Sequence, residues 1–220
     1  MSAKIGCNVG GVYTNILTYA DDVVLLAPSW RALQYLINML ADCATTIDML
    51  CNIDKTVCMI YPPKDKRKVV KSTFPAFKLG NMDLKFVAEF RYLGHIITND
   101  EHDDKDVARD VRAMFTNILA RRFSSCSGPV KTVLFRTYCI CFYMELWQCY
   151  TRCAINRLRS SYIRCMKIFF NYSKYYSVTA MLLELGLPSF DTLLHNSRIR
   201  FVNQVQCTQN SIIAQLRLIL

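Results

Sequence analysis

The stretch Asn15–Ser29, NILTYADDVVLLAPS, decides how this chain is read. Two adjacent carboxylates, Asp21 and Asp22, stand between apolar runs of strand character, with no Gly or Asn beside them to ease a turn. Val12 to Ala27 reads as two short strands around the acidic pair, a β-hairpin. Like charges side by side at such a tip repel each other. A hard divalent cation relieves that repulsion, because Mg²⁺ prefers carboxylate and water oxygens.

Outward from the hairpin, Ser29 is placed to cap a helix from about Trp30 to Leu50. Leu33, Leu36, Ile37, Leu40, Ala44 and Ile47 recur on one face of it. NIDKTVCMIY (residues 52–61) reads as the next strand, with Lys55 near its start, and a charged, Pro-containing loop follows. Further strands lie around residues 77–87 and 90–98, with Gly80-Asn81 as a turn signal. From Asp103 the pattern becomes helical: Val107, Val111, Met114, Phe115, Ile118 and Leu119 form a stripe ending near Phe123. SSCSGPV (124–130) breaks it, Lys131 to about Ile168 reads as largely helical, and Gly186–Ser189 precede a last helix from Phe190 to about Gln206. The expected division is a mixed half, residues 1–100, and an α-helical half, residues 101–220.

The 220 residues are 52% hydrophobic and 12% aromatic, which supports a packed core and excludes a disordered chain. The net charge is +10, and Arg121–Tyr175, with ten basic residues and Glu145 as its one acid, carries +9 of it. A field of that sign suits a polyanion, through phosphate neutralisation and counterion release, or is simply a solvated basic surface. The 11 Cys and the absence of a signal-peptide core in MSAKIGCNVGG point to unpaired thiols in a reducing intracellular compartment, cytoplasm or nucleus. Cys149 and Cys153 are one helical turn apart, but no nearby His completes a zinc set. YCICFYMELWQCY (138–150) is too short for a membrane span and contains Glu145, so it reads as a buried helix and no membrane partner is expected.

YADDVVLLAPS resembles the catalytic hairpin of reverse transcriptases, particularly those of non-LTR retrotransposons. The resemblance continues in order: GCNVGG leads into the hairpin, CNIDKTVCMI is similar to the Asn-x-x-Lys-Thr strand, and FRYLGHIITND to the Tyr-Leu-Gly hairpin near the primer end. SRIRF resembles an Arg-rich segment after the thumb. The resemblance implies an α+β fold: a truncated polymerase palm, with an antiparallel sheet, the catalytic hairpin and a packed helix, then an α-helical thumb-like region. It also implies two-metal nucleotidyl transfer, with two Mg²⁺ about 3.5–4 Å apart. Asp21 would be the principal metal ligand and Asp22 the auxiliary one. Tyr19 would pack under the tip, Lys55 would approach the triphosphate, and Tyr92, Leu93 and Gly94 would grip the primer. Arg121, Arg122, Lys131, Arg157, Arg159 and Arg164 are candidates for backbone contacts to an RNA template and DNA primer. Phe135, Tyr138, Phe142, Trp147 and Tyr150 read as helix core rather than base-stacking residues.

The enzymes this chain resembles need fingers and a further Asp from an earlier strand, and Met1–Val12 contains no acid. Asp42, Asp48 and Asp54 do not match that position. Mg²⁺ binding is therefore expected to be weak or absent, and the polypeptide alone inactive as a polymerase. The alternatives are a non-catalytic basic nucleic-acid-binding module and a helical interaction protein that meets a partner through residues 135–150.

Overall fold

A computed structural model describes residues 5–63, 74–118, 126–140 and 144–217. The chain forms two compact units: Met1–Ala88 with Asn203–Leu220, and Glu89–Val202. This division departs from the expected one, 1–100 and 101–220, in two places: the hairpin at residues 89–98 belongs to the second unit, and residues 203–220 belong to the first.

In the first unit, β1 (Cys7–Val9) and β2 (Val12–Thr14) form one hairpin, and β3 (Ile16–Tyr19) and β4 (Asp22–Leu25) form the next. The two strands expected from Val12 to Ala27 are thus preceded by a separate hairpin that takes up Val12–Thr14. The helix α1 runs over Trp30–Thr46, and Ser29 Oγ accepts from the Ala32 N–H. It stops short of Leu50 because Asp48 turns left-handed (φ +54°) after Ile47, whose side chain is exposed. The strand expected over residues 52–61 is confined to β5 (Val57–Cys58), which pairs in parallel with β8 (Lys85–Phe86). Between them, β6 (Lys78–Leu79) and β7 (Met82–Asp83) turn at Gly80-Asn81, where Gly80 has φ +61°.

Among the described residues the strands pair two by two, so the expected antiparallel sheet takes the form of separate pieces. The core gathers Ile37, Cys58, Phe77, Leu79 and Leu84 beneath α1, with Leu25, Trp30 and Leu33 at its margin. Gln34 binds the Lys78 backbone as a strand would, donating to its carbonyl (2.8 Å) and accepting from its N–H (2.9 Å). Trp30 stacks on Phe77 at 5.9 Å and donates its indole N–H to the Pro75 carbonyl.

The second unit opens with the hairpin β9 (Glu89–Tyr92) and β10 (His95–Thr98) and continues in the helices α2 (Asp104–Ile118), α3 (Gly128–Tyr138), α4 (Arg152–Phe169), α5 (Val178–Leu185) and α6 (Phe190–Cys207), the last continuing past Val202. A short helix α7 (Ser211–Arg217) returns to the first unit beside β1 and β2. The core of the second unit joins Val107, Val111 and Met114 of α2 to Phe135 of α3, and to Leu158, Tyr162 and Met166 of α4. Phe135 is fully buried among the rings of Tyr162, Phe169 and Phe170.

The buried helix expected across residues 138–150 is not there: α3 ends at Tyr138 and Met144–Tyr150 is irregular. The start of α2 and the residue before it bind the end of this segment instead. Asp103 Oδ2 accepts from the N–H groups of Gln148 and Cys149, both at 2.8 Å, and Asp104 Oδ1 accepts from Thr151 N–H at 2.7 Å. Of the aromatics assigned to helix core, Trp147 is buried but lies on this irregular segment, Tyr138 is exposed, and Phe142 lies outside the described residues. No helix among the described residues is long and apolar enough to cross a membrane.

Candidate functional site

The acidic pair sits on a tight hairpin. Tyr19 pairs with Asp22, so Ala20 and Asp21 form a two-residue turn. Ala20 is left-handed at φ +51° while Asp21 is not, the backbone sign pattern of a II′ turn, which normally takes Gly first. A Cβ at that position costs on the order of 1 kcal/mol. Asp21 therefore occupies the tip and Asp22 opens β4, both exposed to solvent. Among the described residues neither carboxylate pairs with a cation.

All of β3 is exposed, and Tyr19 at its end is 64% exposed rather than packed under the tip. No third strand among the described residues pairs with this hairpin. Lys55 lies not on a strand but on an exposed turn, held by Asn52, whose side-chain oxygen accepts from the Lys55 N–H at 3.1 Å. Thr56 Oγ1 donates to the Asn52 carbonyl at 2.7 Å, so Asn52, Lys55 and Thr56 of the motif form a capped turn leading into β5.

The donor chemistry of Asp21 and Asp22 suits one hard cation. Among the described residues no group of three or more His, Cys, Asp or Glu side chains is gathered to hold a metal ion. Asp21 and Asp22 by themselves, among the described residues, do not make up a two-metal centre.

Tyr92, Leu93 and Gly94 form the second tight hairpin. Tyr92 pairs with His95 across Leu93-Gly94, whose φ values of +46° and +86° give the I′ sign pattern. This hairpin is tied to a helix by hydrogen bonds. Asp106 of α2 accepts from Ile96 N–H (2.8 Å), from Arg109 Nε (2.6 Å) and from the Trp147 indole (2.9 Å), and lies 2.9 Å from His95 Nδ1. Burial pushes the Asp106 carboxyl up, but the bonds from Arg109, His95, Trp147 and the Ile96 N–H outweigh it and hold it below the usual carboxylate range. Arg109 also pairs with Asp110 at 2.7 Å, yet Asp110 Oδ2 is buried without a partner among the described residues. Burial, opposed by Arg109, pushes Asp110 up to about 6. The sequence reading missed this network. Its visible signal was DVARD (106–110), which places Asp, Arg and Asp at helical spacing within an apolar stripe.

The basic candidates separate. Arg157 and Arg164 are exposed on α4 and, with Ser160 and Ser161, line a cleft of about 280 Å³ whose other wall is Val111 and Phe115 of α2. Arg159 is tied to Asp191 at the start of α6 at 2.5 Å. Lys131 is half-buried on α3, and Arg121 and Arg122 lie outside the described residues. The SRIRF residues fall on α6, where Arg198 donates to the Tyr150 hydroxyl and Ser197 to Glu145.

Comparison with known proteins supports an origin related to non-LTR retrotransposons. The chain is similar to the Retrovirus-related Pol polyprotein from type-2 retrotransposable element R2DM of Drosophila melanogaster, at 33% identity over 99 residues. That stretch is 43% of this chain and 9% of the length of the relative, so the chain spans only a small part of it. No protein-family profile matches the chain. No solved structure matches it.

Proposed function

We propose that this chain is a segment of a reverse transcriptase, an RNA-directed DNA polymerase of retrotransposon type, with residues 1–100 a partial palm and 101–220 a thumb-like region. The observation that carries this reading is the β3–β4 hairpin, which places Asp21 on a strained two-residue tip and Asp22 directly after it at the start of β4. Strain at a non-Gly turn residue beside two exposed carboxylates is common where a site rather than packing sets the conformation. The similarity to a Pol polyprotein supports the same reading. Lys55 then offers a cation to a triphosphate, and the Tyr92-Leu93-Gly94 hairpin, fixed to α2 by Asp106, lies against a primer.

Two carboxylates are part of a polymerase centre, so nucleotide transfer is not assigned to this polypeptide acting by itself. Purified chain supplied with an RNA template, a DNA primer, deoxynucleotides and Mg²⁺ is expected to give no primer extension. Extension that Asp21→Ala abolishes would overturn the inactivity.

A second reading keeps nucleic-acid binding and drops the chemistry. It is favoured by Arg157 and Arg164, which stand exposed on one face of α4 with two serines between them. Its signature is duplex affinity that falls steeply with salt and survives Asp21→Ala.

A further inference from the structure

The loop between α4 and α5, NYSKYYS (Asn171–Ser177), belongs to none of the motifs above. It holds three tyrosines and a lysine, and it is built rather than slack. Asn171 leaves α4 left-handed at φ +65°, and Tyr172 N–H donates to the Lys167 carbonyl at 2.8 Å. Lys167 Nζ donates to the carbonyls of Lys174 (2.8 Å) and Tyr176 (2.7 Å), pinning the far side of the loop. Tyr176 N–H donates to the Ser173 carbonyl at 3.0 Å, and Ser177 Oγ accepts from Ala180 N–H to cap α5.

Two of the rings are committed. Tyr172 and Tyr176 lie 4.9 Å apart, and their hydroxyls donate to the two carboxylate oxygens of Glu184. Tyr175 is different: it is 84% exposed, and the Lys174 ammonium lies 4.7 Å from its ring centroid. Held out of the core on a pinned backbone, with the lysine ammonium over one face, the ring leaves its other face open to a stacking partner.

We propose that Tyr175 and Lys174 form a nucleotide-stacking site for single-stranded nucleic acid, the base lying on the tyrosine ring and its phosphate meeting the lysine ammonium. An unpaired base offers a free π-face, whereas bases inside a duplex are already stacked on their neighbours. The partner is polyanionic by charge: the loop closes the Arg121–Tyr175 span that carries +9. Because the loop is ordered before binding, little conformational entropy is lost on stacking. This site rests on the nucleic-acid reading above and adds to it a contact to a base, where the α4 arginines offer contacts to the backbone.

The test is equilibrium binding of the full chain to an oligo-dT of about ten nucleotides, within the usual site size for such proteins, and to a blunt hairpin duplex of similar charge. Tyr175→Ala is expected to weaken oligo-dT binding about tenfold and leave duplex binding unchanged, while Tyr175→Phe keeps both. Lys174→Ala is expected to weaken oligo-dT binding and lower its salt slope by about one. Unchanged oligo-dT affinity in Tyr175→Ala overturns the site, as does an equal loss on duplex. Duplex binding without any oligo-dT binding overturns the stacking site and spares the α4 reading. Failure to bind either overturns both.

Discussion

The two tight hairpins of this protein make a controlled pair. Each joins two four-residue strands by a two-residue turn, and each puts a residue other than Gly in the left-handed region first, Ala20 in one and Leu93 in the other. Their surroundings differ. The β9–β10 hairpin is anchored through its Ile96 N–H and His95 to a buried carboxylate on α2. The β3–β4 hairpin reaches a core through Leu25 at its base, while β3 is exposed throughout. Local turn chemistry is therefore not what separates an integral hairpin from one held out into solvent. The difference is the tertiary partner, and a polar one in this case.

Removing that partner should have the largest effect. Asp106→Ala deletes the acceptor for Arg109, Ile96 and Trp147, leaving the buried Trp147 indole without its acceptor and half-buried Arg109 with Asp110 as its remaining carboxylate. Loss of one member of such a buried pair costs about 3–5 kcal/mol. Asp22→Ala, at an exposed tip, should leave the unfolding midpoint where it was. The chain offers a reporter for each unit, Trp30 in the first and Trp147 in the second, so urea unfolding of a Trp30→Phe background reads the second unit separately. Equal losses from the two Asp changes would erase the contrast.

The same network sets a pH dependence of two signs. Asp110 has a folded-state pKa of about 6 against an ordinary 3.8, so the folded state holds a proton that the unfolded chain has released. Its favourable contribution is complete below pH 3.8 and lost as pH rises through about 6, a fall of up to roughly 3 kcal/mol. Asp106 runs the other way: its folded-state pKa is depressed, so its contribution is present above the ordinary value and lost in stronger acid. The second unit is therefore expected to be most stable in mildly acidic solution. Asp110→Asn should flatten the fall between pH 4 and 6.5 and raise stability above it, measured by urea midpoints across that range. A fall that persists in the variant would assign it to another group.

The sequence made some of this visible and hid the rest for a physical reason. Ser29 as a cap, the Gly80-Asn81 turn and the Asp21-Asp22 hairpin were legible because each rests on neighbours in the chain. Met144–Tyr150 was misread as helix because an apolar run has no way to announce that its backbone is capped by Asp103 and Asp104, more than forty residues earlier. Lys55 was placed on a strand for a related reason: Asn52 bonds the backbone locally and takes it out of the ladder. Of the candidate site, the residue types and their order could be read. That Arg159 would be tied to Asp191 while Arg157 and Arg164 stayed exposed could not, because it depends on which face of α4 meets α6.

The smallest predicted effect is also the one that most sharpens the pairing of hairpins. Leu93→Asn supplies the residue that an I′ turn favours first, and Ala20→Gly supplies the one that a II′ turn favours. Each should relieve about 1 kcal/mol of local strain. Because β9–β10 is tied to α2, the gain at Leu93 should appear in full as a higher urea midpoint read by Trp147. Because β3 is exposed and Leu25 at the base is what borders the core beneath α1, the tip is expected to open without disturbing that core, and the gain at Ala20 should leave the Trp30 midpoint nearly unchanged. It should appear instead as slower amide exchange at Leu17 and Val24, a hydrogen-bonded pair across the hairpin. If Ala20→Gly moved the global midpoint as far as Leu93→Asn, the acidic hairpin would be as integral to its unit as the other. Its exposed strand would then need a different explanation from a tip held out for a ligand.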